Sequence, residues 1–292
     1  MVFFALKKLT DNSEAIDQTA IVNFQLPLPV LKASVLSFFI LCLLLGCSSP
    51  KQEVIVPAEE EELPPADLTH IGLAKLSDYG FFEQPINKLV PTVSLIPYTL
   101  NSALFSDYAF KKRFIKIPKG KKAEYHAREV FDFPEGTILI KNFYYPADFS
   151  KPSEQWRLLE TRLLIHEAQG WKPITYIWNK DQSEAFIDVA GKSVDVRWTH
   201  DNGTVLSIKY SIPNQNQCKS CHMKDRLVKP IGPTARQLNR PVENGNTNQL
   251  QYLQTSGKLK GLPNFSAIEK LTDYSDESQS IDARARGWLE VN

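Results

Sequence analysis

A chain of 292 residues with 42 % hydrophobic and 11 % aromatic side chains is long enough for one large domain or two ordinary ones, and too apolar for a disordered protein. Its 34 basic and 33 acidic residues leave a net charge of +1, with no basic stripe carrying interleaved aromatics, so no nucleic acid is expected as a partner. Four cysteines fall into two pairs far apart in sequence, Cys42 with Cys47 and Cys218 with Cys221, and each pair needs its own explanation.

Residues 33–45, ASVLSFFILCLLL, form an uncharged, mostly apolar run of 13 behind Lys32. That is short of the ~20 residues of a membrane-spanning helix and suits the core of an export signal. The following Leu44-Leu45-Gly46-Cys47 resembles the lipobox of bacterial lipoproteins. The resemblance implies cleavage before Cys47, lipid on its sulfur and, with Ser48 next in line, passage to the outer membrane. Ahead of the core, LTDNSEAIDQTAIVNFQ carries three acidic residues, unusual for a signal; a start near Val30 gives an ordinary short charged leader. The expected division is therefore a signal peptide over 1–46, then the lipidated Cys47 and a Pro-rich, acidic tether over 47–69.

Residues 70–213 read as an antiparallel β domain. RFIKIP (113–118) alternates, and GTILIKNFYY (136–145) is rich in β-branched and aromatic residues. Residues 156–191 read as three strands, broken at Gln169-Gly170 and at Asn179–Gln182. The clearest hairpin is VDVRWTHDNGTVLSIKYSIP: Val194, Val196 and Trp198 share one face, Leu206, Ile208, Tyr210 and Ile212 another, around a turn at Asp201-Asn202-Gly203. No convincing helix interrupts these strands. The expected fold is mainly β, an antiparallel sandwich or barrel-like body, followed by a loop-rich tail of short helices over 214–292. In that tail, a helix follows Thr247 and ends at Gly257. Ser266 and Glu269 have capping-box spacing, and a last helix begins after Ser280 or Asp282.

The tail opens with Cys218-Lys219-Ser220-Cys221-His222, the C-x-x-C-H pattern of c-type haem attachment. Two thiols three positions apart can reach both vinyl groups of one porphyrin, and the adjacent histidine then lies under the iron as its axial ligand. Zinc, a redox dithiol and a structural disulfide compete for the pair. Zinc needs three or four ligands, and no H-x₃₋₅-H partner accompanies the cysteines. A thioredoxin-like dithiol needs an α/β context. Met223 cannot wrap around its neighbour to the far side of the ring, so His70, His126, His166 and His200 are the candidates for a second axial ligand.

Several blocks in order, LNSALFSDYAFKKRFIKIPKG (100–120), FDFPEGTILIKNFYYP (131–146), LLETRLLIHEAQGWKPITYIWNKDQSEA (158–185), IPNQNQCKSCH (212–222), KPIGPTARQLNR (229–240) and NQLQYLQTSGKLKGLP (248–263), resemble an exported family of dihaem c-type cytochromes of undefined physiological role. The similarity runs from about residue 75 to the last residue. In that family a second C-x-x-C-H follows the segment matching DARARGWLEVN. The resemblance therefore implies one haem c on this chain, a second in full-length relatives, a shortened tail here, and unusual exposure of Trp288 and Leu289.

The expected function is one-electron transfer by a membrane-tethered periplasmic cytochrome, lipid-anchored in the cell envelope and working with a periplasmic redox partner protein. A peroxidase-like or haem-linked oxidoreductase, and a non-catalytic haem-anchored envelope binding protein, are the alternatives.

Overall fold

A computed structural model of the chain describes residues 71–292. The signal segment, Cys42, the lipobox with Cys47, the tether and His70 lie outside the described residues. The described residues fall in one compact unit, so the β body and the tail that carries the C-x-x-C-H motif fold together. No helix of the described residues is long and apolar enough to cross a membrane.

In chain order the strands are β1 (Ile96–Tyr98), β2 (Phe110–Lys116), β3 (Ala123–Glu124), β4 (Ile138–Pro146), β5 (Trp156–Glu167), β6 (Gly170–Trp178), β7 (Ala185–Asp188), β8 (Lys192–Thr199) and β9 (Val205–Ile212). Helix α1 (Gln215–His222) follows, then β10 (Met223–Lys224), β11 (Leu227–Val228), α2 (Ala235–Leu238), α3 (Gln249–Thr255), β12 (Leu259–Lys260) and α4 (Ile281–Val291). Six strands make one antiparallel sheet in the order β1-β2-β4-β5-β6-β7. The protein is thus mainly β with a few short helices. The sheet has two free ends in its strand order, and β8–β9 stands apart as a two-stranded hairpin, where the sequence suggested a fuller sandwich or a barrel.

Strict alternation along the long strands gives the sheet two unlike faces. On the first face, Ile140 of β4, Leu163 of β5 and Ile174 of β6 lie side by side. They pack with Leu76, Phe81, Phe82, Ile86 and Leu89 from the segment before β1. Each such side chain contributes about 1.5–3 kcal/mol on burial. On the second face, one end carries Ile115, Leu139 and Leu164 beneath Leu238, Leu250, Leu253 and Leu259 of the tail. The other end carries Phe143, Tyr145 and Leu159 beneath Val196, Trp198, Tyr210 and Ile212 of the β8–β9 hairpin.

Strand β5 changes phase once. Phe143 pairs with Glu160 but Tyr144 with Leu158, so Leu159 is an extra residue, a β-bulge. Leu158 therefore joins the first-face core, and Leu159 and Glu160 both serve the second.

Two buried glutamine side chains fasten the tail to the loop after β1. Gln237 accepts from the Ser102 N–H (2.9 Å) and donates to the Ser102 carbonyl (2.7 Å). Gln249 does the same with Thr99, at 2.8 and 3.0 Å. Each amide takes the place of a neighbouring backbone and pairs both the N–H and the carbonyl of one loop residue. At α4, Ser280 is the N-cap, accepting from the Ala283 N–H, and Gly287 lies so close to the Thr272 carbonyl that a Cβ would collide with it. Trp288 and Leu289 on the same helix are 42 % and 69 % exposed.

The expected breaks in residues 156–191 fall between β5, β6 and β7, and the hairpin is where the alternation put it. The capping-box spacing of Ser266 and Glu269 does not open a helix. Asn264 instead caps a single 3₁₀ turn at Phe265–Ala267, and Glu269 reaches Arg236 in an ion pair of 3.2 Å.

Leu238→Ala, at a fully buried position joining tail to sheet, should cost about 2–5 kcal/mol of unfolding free energy in urea titrations, whereas Leu289→Ala on exposed α4 should stay within about 0.5 kcal/mol.

Candidate functional site

Helix α1 carries all three residues of the C-x-x-C-H motif. Asn214 caps it, accepting from the Gln217 N–H at 2.9 Å, while the Gln217 side chain accepts from the Asn214 N–H at 2.9 Å. This reciprocal cap satisfies two backbone donors of an eight-residue helix too short to persist alone. The helix then packs on β6 and β11. With 3.6 residues per turn, Cys218 and Cys221 point roughly 60° apart around it. Cys218 is buried, its Sγ 3.8 Å from Thr175 Oγ1 on β6, and Cys221 is exposed; the two thiols are free and not bonded to each other. Burial pushes the Cys218 thiol up from its ordinary pKa.

His222 ends the helix, and Met223 turns into extended backbone. The short β10–β11 hairpin brings Lys229 back beside it. The Lys229 N–H donates to the His222 carbonyl at 2.8 Å, and the His222 Nδ1 lies 2.9 Å from the Lys229 carbonyl. A carbonyl can only accept, so Nδ1 carries the proton and Nε2 keeps its lone pair free for a metal. Burial, with Lys141 and Arg162 adding to it, lowers the His222 pKa and favours this neutral form. Cys221 and His222 open on a cleft of about 340 Å³ whose other walls include Glu129, Val130, Ile231 and Thr234.

Beneath the helix the second face of the sheet is polar. Tyr98, Arg113, Lys141, Arg162 and Thr175 stand in register on β1, β2, β4, β5 and β6, a transverse row between the two apolar ends. Asp188 of β7 continues the row beyond Thr175 and accepts from the Gly191 N–H, while one buried anion pairs with the cations directly. Glu160, with no exposed surface, accepts from Arg162 Nε at 2.7 Å, from Arg162 Nη2 at 2.6 Å and from the Tyr210 hydroxyl at 2.7 Å. Lys141 Nζ and the Arg162 guanidinium both lie over the Phe143 ring, 4.7 and 4.3 Å from its centre. Arg113 and Lys141 have no hydrogen bond or ion pair among the described residues, and their pKa values are lowered chiefly by burial. Lys111, one row along, is brought down to about 8 by burial and then by Arg113 and Arg162, with its Nζ donating to the Leu104 carbonyl.

The other histidines among the described residues make local contacts. His126 Nδ1 accepts from the Arg128 and Glu129 N–H groups. His166 stacks on Trp171 at 4.5 Å with the rings 5° from parallel, and the His200 ring lies 5.8 Å from that of Phe149. None is hydrogen-bonded to α1. Met223 is exposed beside His222. Among the described residues no three His, Cys, Asp or Glu gather as a metal-binding set, but a haem brings four nitrogen donors of its own and asks the protein for few. The donor set present, two free thiols and an imidazole with Nε2 unprotonated, fits that group.

The basic row is what sequence reading missed. A signal existed: Lys141 has the same parity as Leu139, Phe143 and Tyr145 in ILIKNFYYP, which is a core-facing parity. The cap of α1 was equally visible as Asn214 followed three residues later by Gln217.

The sign of the lysine shift gives a pH test. Between about pH 8 and 10 the unfolded chain, with lysines near their ordinary 10.5, holds more protons than the folded one, so stability should rise with pH across that window. Cys218, raised by burial, opposes part of that rise within the window, and above it Tyr98 and Tyr144, both raised to about 12 by burial, also act the other way. The urea midpoint of the chain carrying no cofactor should climb from pH 8 to pH 10, and Lys111→Met should flatten the climb. In comparisons with known proteins, no family model, curated protein or solved structure matches this chain.

Proposed function

We propose that this chain is a c-type cytochrome that transfers single electrons in the cell envelope, lipid-anchored through Cys47 and facing the periplasm, as a relative of the exported dihaem cytochromes its sequence resembles. The observation that carries the reading is the pairing of His222 Nδ1 with the Lys229 carbonyl directly behind two free C-x-x-C thiols. It leaves Nε2 free and aimed by a backbone clasp, the outer-shell support a metal-bound histidine needs.

In this reading Cys218 and Cys221 hold the porphyrin. The two thiols would hold it as thioethers, each S–H adding across a vinyl group with no oxidant needed. His222 would ligate the iron, and the Lys229 carbonyl keeps its ring from rotating. When bound, the haem supplies a one-electron Fe(III)/Fe(II) couple. The sheet keeps water from the Cys218 side, where Thr175 and the aromatic end of the second face lie.

The reading is tested by expressing the full chain with a c-haem maturation apparatus. A haem-stained band should survive denaturing electrophoresis and vanish in the Cys218→Ala/Cys221→Ala variant, and His222→Ala should lose or alter the reduced-state absorption. An unmodified chain with no covalent haem would sink the proposal. A low-spin six-coordinate spectrum supports electron transfer; a high-spin spectrum with peroxide turnover favours a peroxidase-like enzyme instead. Cys47→Ala should move the protein from the membrane to the soluble fraction.

A further inference from the structure

The cations under α1 outnumber their anions, and they are arranged. Glu160 is already saturated by Arg162 and Tyr210, which leaves Arg113 and Lys141 without a partner among the described residues. Both sit on rigid central strands, not on loops. Neighbouring cations in mutual repulsion destabilise a fold unless an anion joins them, and among the described residues no carboxylate pairs with Arg113 or Lys141, so this end of the row is suited to negative charge from a ligand.

Its direction is informative. Cys218 rests on Thr175 of β6, and from there the row runs one strand to Arg162, two to Lys141 and three to Arg113. Neighbouring strands are about 4.7–4.9 Å apart, so Lys141 and Arg113 stand roughly 10 and 14–15 Å from the strand on which the thiol rests. A porphyrin held through its vinyl groups carries its two carboxylates on the opposite edge. Two unpartnered cations at the far end of the row match two carboxylates in number, in sign and in direction.

We propose that Arg113 and Lys141, with Arg162 beside them, receive the two propionate groups of the tetrapyrrole held by Cys218, Cys221 and His222. This rests on the haem reading above and adds to it a second, ionic attachment. Such charge-assisted hydrogen bonds are shorter and stronger than those between neutral groups. They also hold positive charge beside the iron, which favours the reduced state.

Two measurements test it. The first compares the haem-loaded full chain with Lys141→Met, Arg113→Gln, the double variant, the conservative Lys141→Arg and, as a control, Lys112→Gln on the opposite sheet face, where Lys112 Nζ lies over Trp156. Covalent haem should persist in all. The midpoint potential should fall in Lys141→Met and Arg113→Gln and further in the double variant, because an uncompensated carboxylate stabilises Fe(III). It should stay close to the unmodified value in Lys141→Arg and Lys112→Gln. Haem-loaded variants that all keep the unmodified potential overturn the proposal and leave the cytochrome standing; absence of haem from the unmodified chain is the separate failure of the cytochrome reading. The second measurement needs no variant to fold. Iron-free protoporphyrin should bind the unmodified chain, made without the maturation apparatus, at least about tenfold more tightly than its dimethyl ester, as read by porphyrin fluorescence. Equal binding of acid and ester overturns the proposal.

Discussion

A carboxylate with no exposed surface decides how the middle of this protein is arranged. A buried ionised acid is tolerable only when its oxygens are taken up by donors, and Glu160 has three: two from the Arg162 guanidinium and one from the Tyr210 hydroxyl. Because Arg162 belongs to β5 and Tyr210 to β9, this one group ties the large sheet to the separate hairpin. It also fixes Arg162 on the side of the sheet where α1 lies. Without it, Arg162 would lose its ion-pair partner while Lys111, Arg113 and Lys141 stayed close by.

The two faces of the sheet solve different problems. The first is a conventional apolar core closed by the segment before β1, with its few polar groups paired among themselves: Thr161 donates to Asn142 at 2.6 Å, and Trp178 Nε1 donates to Thr161 at 3.0 Å. The second is apolar only at its ends, where the tail and the hairpin cover it. Apolar packing is thus concentrated at the periphery of that face, and its centre is polar. The helix that carries Cys218, Cys221 and His222 packs on this face, held by its cap, by β6 and by the clasp between His222 and Lys229.

What the sequence made visible follows the range of the interactions. Strands β5, β6, β8 and β9 announce themselves because alternation, and turn residues such as Gly203 at φ +80°, are local facts. The C-x-x-C-H motif is local too. The basic row was hidden because Arg113, Lys141, Arg162 and Thr175 are distant along the chain and meet only through strand order and register, which alternation does not determine. The open sheet was hidden for the same reason: short strands with good alternation suit a sandwich, a barrel or a single covered sheet equally well. At Ser266 and Glu269 the spacing was right, but a neighbouring asparagine took the cap of a single turn.

The extra residue at Leu159 separates two duties that an unbroken strand could not combine. With a period of two, Trp156, Leu158, Glu160 and Arg162 would all have to point the same way, and either the first-face core would receive an ion pair or the polar row would lose its centre. The bulge lets even-numbered residues mean oil before it and charge after it. Deleting that one leucine would leave Leu158 and Glu160 opposite their present partners and cost the second face one buried side chain beneath the hairpin, whereas straightening the strand with Leu159 in place would turn one half of β5 to the wrong face.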